Sequence, residues 1–342
     1  MSYANFGDNF MKAFEVREFG NLVCTERPQP EPKFGEVLVK VKAVSLNYRD
    51  ILMVKGAYNP HLPLPVIPCS DGVGEVVSVG EGVTKVKPGD RVASIFMQKW
   101  LSGNLTREAA RSALGGEIDG MLAEYVILSE DGVVNIPSYL SDIEAATLPC
   151  AAVTAWHALI EAGLKPGETV LVMGTGGVSL FALQFAVMAG ARVIATSSSD
   201  EKLARVKQLG ASDMINYKSV PKWEKQVLAL TEGTGVDYVV EVGGAKTLSQ
   251  SLKAVKIGGQ ISLIGILAGA QAEFNILPAL MKEVRIHGIF VGSRQMFEAM
   301  NRAIDLSQLH PVCDRIFPFE SAPEALSYME IGSHFGKITI QF

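Results

Sequence analysis

The sequence predicts an α/β protein in which a doubly wound parallel sheet is inserted into a mainly β domain. Three observations carry that prediction. The chain has 342 residues, about twice the ~150-residue norm for one domain, so two hydrophobic cores are expected. Its first third alternates apolar and polar residues with the period of half-buried strands, as in Glu36 to Ala43 (EVLVKVKA) and Gly74 to Val79. From about Ser141 onward, short apolar runs alternate with helix-length segments. That rhythm implies right-handed βαβ crossovers and a parallel sheet covered on both faces.

Composition removes several function classes. Hydrophobic residues make up 48% of the chain and charged residues 20%, which suits a compact fold rather than disorder. The net charge is −5 and no run of basic residues occurs, so nucleic acid is not an expected partner. Cys24, Cys69, Cys150 and Cys313 lie far apart without C-x-x-C spacing. Neither a structural zinc knot nor a disulfide framework is expected, and a reducing cytoplasm is the expected compartment. The N-terminal MSYANFGDNFMK lacks a basic start followed by an apolar stretch, so no secretory signal is read there. Thr169 to Ala191 carries no charge and is long enough to span a membrane. Gly174, Gly176 and Gly177 divide it, however, into a strand-length part and a helix-length part, and no membrane partner is expected.

The elements follow in order. Strands of the first third turn at Lys87-Pro-Gly-Asp90. A helix is expected over Ala145–Ala162, then strand Thr169–Met173, helix Val178–Ala189, strand Arg192–Thr196, helix Glu201–Leu209 and strand Met214–Asn216. Helix Lys222–Thr231, strand Val236–Glu241, helix Thr247–Val255 and strands Gln260–Ile264 and Arg285–Phe290 complete the alternation. In the tail, Ser321-Ala-Pro-Glu324 has the form of a capping box, so a helix is expected from there to Glu330.

The strongest local motif is Gly174-Thr175-Gly176-Gly177-Val178-Ser179, which follows a strand and opens a helix. In that βαβ setting, glycines let backbone N–H groups approach a pyrophosphate whose charge the helix N-terminus favours. Dinucleotide binding is the implied function. Ser179 stands where a third glycine is usual, which predicts a slightly wider spacing of strand and helix. At the end of the second strand an acidic residue would bind the ribose diol of NAD; here Ser197 and Ser198 occupy the place, with Lys202 and Arg205 nearby. NADP(H) is therefore favoured over NAD(H). The serines also suit a simple cap, Ser198 with Glu201, and Asp200 in the same loop is the feature that speaks for NAD.

These motifs, joined to Val83-Thr-Lys-Val-Lys-Pro-Gly-Asp-Arg-Val92, Leu148-Pro-Cys-Ala-Ala-Val-Thr-Ala-Trp156 and Phe335-Gly-Lys-Ile338, resemble the medium-chain dehydrogenase/reductase superfamily over about residues 11 to 342. Leu46-Asn-Tyr-Arg-Asp-Ile-Leu52 is similar to its zinc-independent, quinone-oxidoreductase-like branch. The resemblance implies a GroES-like catalytic domain, residues 1–150 with 292–342, and a Rossmann domain, residues 151–291, inserted between its parts. Zinc-dependent relatives hold catalytic zinc through a Cys, a His-Glu pair and a later Cys or Asp. The matching positions here are Asn47, then Cys69-Ser70-Asp71, then Cys150, and Phe96 to Gly120 contains no cysteine lobe. No zinc is expected, since a catalytic zinc generally needs three protein ligands and Asn47 is a weak one.

Without a metal, side chains must stabilise charge on the substrate oxygen. The resemblance points to Asn47, Tyr48, Arg49 and Asp50, with Asn47 foremost as an amide donor; Arg49 and Asp50 equally suit a structural ion pair. Tyr58, on the loop Gly56 to Pro68, is expected to wall the substrate pocket. Along the cofactor, the resemblance implies Thr154, Val242, Gly243, Gly265, Ile266, Phe290, Val291 and Lys337, with Lys202 and Tyr217 at a 2′-phosphate. His61 and His157 are read as structural. The expected activity is a zinc-independent, NADPH-dependent oxidoreductase acting on a small carbonyl, enone or quinone, or in the alcohol-to-carbonyl direction. The alternatives are an NADPH-binding structural protein and a zinc alcohol dehydrogenase with atypical ligands. Arg285–Phe290 ends the Rossmann sheet, and the resemblance implies that this edge pairs with a second subunit, which removes an exposed edge strand, so a homodimer is expected.

Overall fold

We describe a computed structural model of the chain over residues 10–342. Up to residue 9, the segment read for a secretory signal lies outside the described residues. The chain divides into two compact units, Met1–Cys150 with Ser293–Phe342 and Ala151–Gly292.

The second unit is the doubly wound sheet. Six strands lie in the order Asp213–Asn216, Arg192–Ser197, Thr169–Met173, Val236–Glu241, Val255–Leu263, Arg285–Gly288. Every neighbouring pair is parallel. The strand order reverses beside Thr169–Met173, the position where such sheets open a ligand crevice. The near-continuous apolar runs of its central strands are explained by burial on both faces: Val170, Leu171, Val239 and Val240 are inaccessible to solvent. Helices Gly177–Met188, Asp200–Gln208, Trp223–Leu230 and Ala245–Ala254 make the crossovers. Among the described residues, no helix is long and apolar enough to cross a membrane.

The first unit is the mainly β domain. Its seven-stranded sheet is built around Glu36–Ser45, which pairs antiparallel with Asp71–Val79, with Tyr125–Ser129 and with the C-terminal strand Lys337–Gln341. A separate hairpin pairs Phe10–Glu18 with Asn21–Pro28. Val37, Val39, Val41 and Val44 of the central strand pack with Ile338 and Ile340 of the last strand in one core. The chain's end is thereby fixed into the sheet of its beginning, with Thr339 opposite Ser45. Gly336 makes that entry possible: its φ is +91°, and a Cβ there would lie 2.3 Å from the Val312 carbonyl oxygen.

Three expectations about local structure are corrected. The helix expected over Ala145–Ala162 is instead a short helix Asp142–Ala145, a π-turn Leu148–Ala152 and a helix Val153–Leu159. Pro149 lacks an N–H and crowds the preceding turn, so a regular α-helix cannot pass through it. Ser199, rather than Ser198, caps the helix Asp200–Gln208, by accepting from the Lys202 N–H. Ser321 precedes the helix Ala322–Ile331 but makes no capping hydrogen bond, because a 3₁₀ turn over Phe319–Ser321 already leads the chain into it. Helices at Tyr48–Val54 and Arg294–Ser307 had no counterpart in the sequence-based expectation.

Candidate functional site

In the β unit, the end of strand Glu36–Ser45 turns at Leu46-Asn47 into the helix Tyr48–Val54. Against this corner stands Lys337, the first residue of the C-terminal strand, only 3% exposed. Its Nζ donates to the Leu46 carbonyl and to Asn47 Oδ1, each at 2.6 Å, and lies 3.9 Å from Asp71 Oδ2. Asp71 has no solvent exposure. Its carboxylate accepts from the Ser70 hydroxyl at 2.7 Å and from the Cys150 N–H at 3.1 Å. The π-turn around Pro149 carries that Cys150 N–H, so the helix irregularity also completes the shell of the carboxylate. Burial pushes the Asp71 carboxyl above its ordinary range, against the pull of Lys337, Asn47, Ser70 and the Cys150 N–H.

Asp50 is buried one turn into the helix, where its Oδ2 accepts from the Asn47 N–H at 2.8 Å while Oδ1 has no partner. Burial raises its pKa to about 6, with the Arg49 charge opposing. Arg49 and Asp50 do not form the ion pair weighed from sequence. The guanidinium donates instead to the Leu114 carbonyl at 2.9 Å and lies over the rings of Phe96 and Tyr58.

Asn47 is held through the acceptor end of its amide. Its Oδ1 is taken by the lysine, and its Nδ2 is buried beside Asp71 without completing a hydrogen bond. Lysine can only donate, so the ammonium fixes which end of the amide faces it. Of the four residues Asn47 to Asp50, Tyr48 is the one turned outward, at 45% exposed. Sequence inspection missed the association of Lys337 with this corner, since 290 positions separate it from Asn47.

The same residues bear on zinc. Asn47 Oδ1 and both Asp71 oxygens are already engaged. Burial raises the Cys69 and Cys150 thiols well above their ordinary range. A divalent ion among these residues would also face the charge of the adjacent Lys337 ammonium. Among the described residues, no group of three or more His, Cys, Asp or Glu side chains is arranged to hold a metal. This donor set does not fit a catalytic zinc.

The parallel-sheet unit carries the second group of candidates. Gly174 has φ +76° and Gly176 caps the helix Gly177–Met188 with no side chain. A Cβ on Gly176 would meet no protein atom within 4 Å, so the open space over the helix N-terminus is free for a phosphate. The Ser179 hydroxyl donates to the Met173 carbonyl at 2.7 Å, tying helix to strand where the usual motif has glycine. Thr175, Thr154 and Ser197 are buried, while Val178, Ser198 and Lys202 are half-buried and Tyr217 is exposed. The Ser197 hydroxyl oxygen accepts from the Ser199 N–H at 3.3 Å, and Asp200 is engaged by the Asn216 amide at 2.7 Å.

Across the strand ends, Glu241 is fully buried. Its Oε1 accepts from the N–H groups of Gly243 and Gly244 and from the Thr247 hydroxyl at 2.8, 3.0 and 2.7 Å, while Oε2 takes the Ser251 hydroxyl. That carboxylate fixes the Val242–Gly244 turn beside Gly265 and the exposed Ile266. Past the edge strand, exposed Phe290 precedes Val291, whose φ of +58° is strained for a β-branched residue. The Val291 carbonyl accepts from His157 Nδ1 at 2.7 Å, and burial lowers the pKa of that imidazole. His157 is thus a backbone anchor, and His61 is an exposed loop residue.

Comparison with known proteins names the family. Residues 33–138 match the family described as "Alcohol dehydrogenase GroES-like domain" and residues 177–306 the one described as "Zinc-binding dehydrogenase". A zinc-type alcohol dehydrogenase-like protein of Schizosaccharomyces pombe is 48% identical over 335 residues, 96% of this chain and 97% of that one. The chain belongs to the medium-chain dehydrogenase/reductase superfamily. A crystal structure from Sinorhizobium meliloti 1021 assigned as an alcohol dehydrogenase superposes with TM-score 0.93 at 43% identity, over 98% of this chain and 99% of that one. A solved NAD-dependent alcohol dehydrogenase is 36% identical with TM-score 0.89, over 97% of this chain and all of that one. This medium-chain dehydrogenase/reductase is accordingly an alcohol dehydrogenase-like oxidoreductase with a GroES-like domain and a Rossmann sheet, using a nicotinamide cofactor on small-molecule substrates.

Two outcomes follow for the buried carboxylates. The raised Asp50 pKa means that the folded state holds its proton up to about pH 6, whereas the unfolded chain releases it near the ordinary value of 3.8. Stability is therefore lost as pH rises through that window. Asp50→Asn should gain on the wild type by up to about 3 kcal/mol between pH 4 and pH 7, read as a difference in denaturation midpoint that widens with pH; a constant difference would contradict the assignment. Glu241→Ala, which strands its buried donors, should cost about 2–4 kcal/mol in chemical denaturation, and Glu241→Gln less.

Proposed function

We propose that this medium-chain dehydrogenase/reductase is a zinc-independent, NADPH-preferring oxidoreductase of the quinone-reductase-like type. Its substrate is a small enone, quinone or carbonyl compound, or an alcohol in the reverse direction. The observation that carries the zinc-independent reading is the Lys337 ammonium on Asn47 Oδ1, at the position matching the first metal ligand of zinc-dependent relatives. The bound cofactor supplies a hydride; the chain's own residues must bind, orient and stabilise charge. The Gly174–Val178 turn takes the pyrophosphate, and the Val242-Gly243, Gly265-Ile266 and Phe290-Val291 turns with Thr154 border the nicotinamide ribose and ring. Ser197, Ser198, Lys202 and Tyr217 receive the 2′-phosphate. Tyr48, the outward member of its group, donates to the substrate oxygen as negative charge develops there. Four free cysteines suit the reducing cytoplasm proposed as its compartment.

The test is oxidation of NADPH and of NADH against quinones, enones and aldehydes, with alcohols in the reverse direction, after exhaustive chelation. Turnover should persist without metal and favour NADPH. Ser197→Asp and Lys202→Ala should weaken NADPH binding about tenfold or more relative to NADH, and Tyr48→Phe should lower kcat about tenfold or more. Tight NADPH binding without turnover on any acceptor would instead favour a structural role, and loss of activity on chelation would sink the reading.

We also infer a homodimer, joined through the edge strand Arg285–Gly288. All four of its residues are exposed, and exposed Ile257, Ile276, Leu280 and Met281 lie on adjoining segments, Gly258 being hydrogen-bonded to Lys282. An apolar unpaired edge invites pairing with its own symmetry copy. Light scattering should give twice the chain mass, and Ile286→Lys with Leu280→Glu should give the monomer.

A further inference from the structure

We propose that the buried Lys337 ammonium is the structural cation of the β unit's catalytic centre. It is a positioning residue that holds the Leu46–Tyr48 corner and closes the centre to divalent metals. The inference deepens the zinc-independent reading and rests on it.

Three oxygens surround the ammonium: the Leu46 carbonyl and Asn47 Oδ1 at 2.6 Å, and Asp71 Oδ2 at 3.9 Å. The neutral carbonyl and the neutral amide each accept a hydrogen bond from the ammonium, and the carboxylate supplies the counter-charge without a hydrogen bond. Two of the members are fixed without the lysine and the backbone of the third is anchored too. Asp71 is held by Ser70 and the Cys150 N–H, Leu46 by its N–H to the Ile338 carbonyl, and the Asn47 backbone by its N–H to Asp50. The cavity for the ammonium is therefore built by the fold, and the lysine orients only the Asn47 amide within it. Lys337 is 3% exposed, which separates it from a lysine that reaches into solvent for a cofactor phosphate. Its two shortest bonds go to the residues immediately before Tyr48, so loss of the charge releases the residue that faces the substrate without touching the cofactor turns.

The experiment follows from the preformed cavity. In Lys337→Ala the site should accept a free alkylammonium, as a ligand that binds only the folded state. Ethylammonium chloride should raise the melting temperature of the variant by about 3 °C or more beyond its effect on the wild type. Tetramethylammonium, which has the charge but no N–H to donate, should not. With an acceptor from the substrate panel, kcat of the variant should fall about tenfold or more while the NADPH Kd stays within about twofold, and ethylammonium should restore part of kcat. If Lys337→Ala does not fold, Lys337→Gln, which keeps N–H donors without the charge, should show the same split between kcat and Kd. Wild-type protein titrated with cobalt(II) should develop no thiolate-to-metal absorption.

A rise in NADPH Kd of about tenfold at unchanged kcat would make Lys337 a cofactor contact and overturn the proposal. So would equal stabilisation by the two ammonium salts, or a saturable cobalt signal in the wild type. Stoichiometric zinc in active wild-type protein would overturn the zinc-independent reading itself. Metal-free turnover with no ethylammonium effect on the variant would overturn this inference alone.

Discussion

The burial of one ammonium group constrains more of the β unit than any other interaction in it. A lysine taken out of water costs several kcal/mol unless a counter-charge and well-placed oxygens meet it. Lys337 is met by both, and those partners come from two stretches of chain far from the last strand, Leu46-Asn47 and Asp71. The last strand can deliver the lysine only because it pairs with Glu36–Ser45 in one register, Thr339 against Ser45, and because Gly336 adopts a conformation closed to other residues. A slip of one residue would turn Lys337 to the opposite face and leave Asp71 as an uncompensated buried charge. Sheet register, the location of the C-terminus and the electrostatics of the corner are thus one problem with one solution.

The parallel-sheet unit applies a related logic at the ends of its strands. Backbone N–H groups there need anions, and the chain supplies one of its own at Glu241 while leaving another set open over Gly176. The first fixes a turn; the second leaves the N-terminus of the helix Gly177–Met188 without a side-chain cap. The unusual Ser179 shows that a motif position can change its chemistry and keep its geometry. Where glycine would let helix and strand approach, the serine hydroxyl bridges the gap with a hydrogen bond to Met173.

Periodicity found the Rossmann strands Thr169–Met173 and Val236–Glu241 without error, but the strand expected over Gln260–Ile264 begins five residues earlier, at Val255. Strands buried on both faces announce themselves as short, β-branched apolar runs between glycine-rich turns, and tertiary context has little left to decide. The weaker results all involve competition between local options. Three consecutive serines offered two caps, and the strand end selected Ser199 over Ser198. An S-x-x-E pattern at Ser321 lost to a 3₁₀ turn, and a proline converted an expected helix into a π-turn. Helix Tyr48–Val54 was hidden because its amphipathic pattern is only two turns long.

By itself the sequence determined the α/β class, the alternation of strands and helices along the chain, the glycine turn and the group of residues from Asn47 to Asp50, because each is a pattern within a few dozen neighbouring positions. It carried the family resemblance for the same reason. Only the tertiary structure decided what those side chains face: that Arg49 meets aromatic rings rather than Asp50, that Asn47 is turned inward, and that Tyr48 is turned outward. Orientation depends on partners far along the chain, Leu114 for Arg49 and Lys337 for Asn47. A hydrogen bond between such distant residues exists only after the sheet has closed around them, so no local pattern in the sequence can encode it.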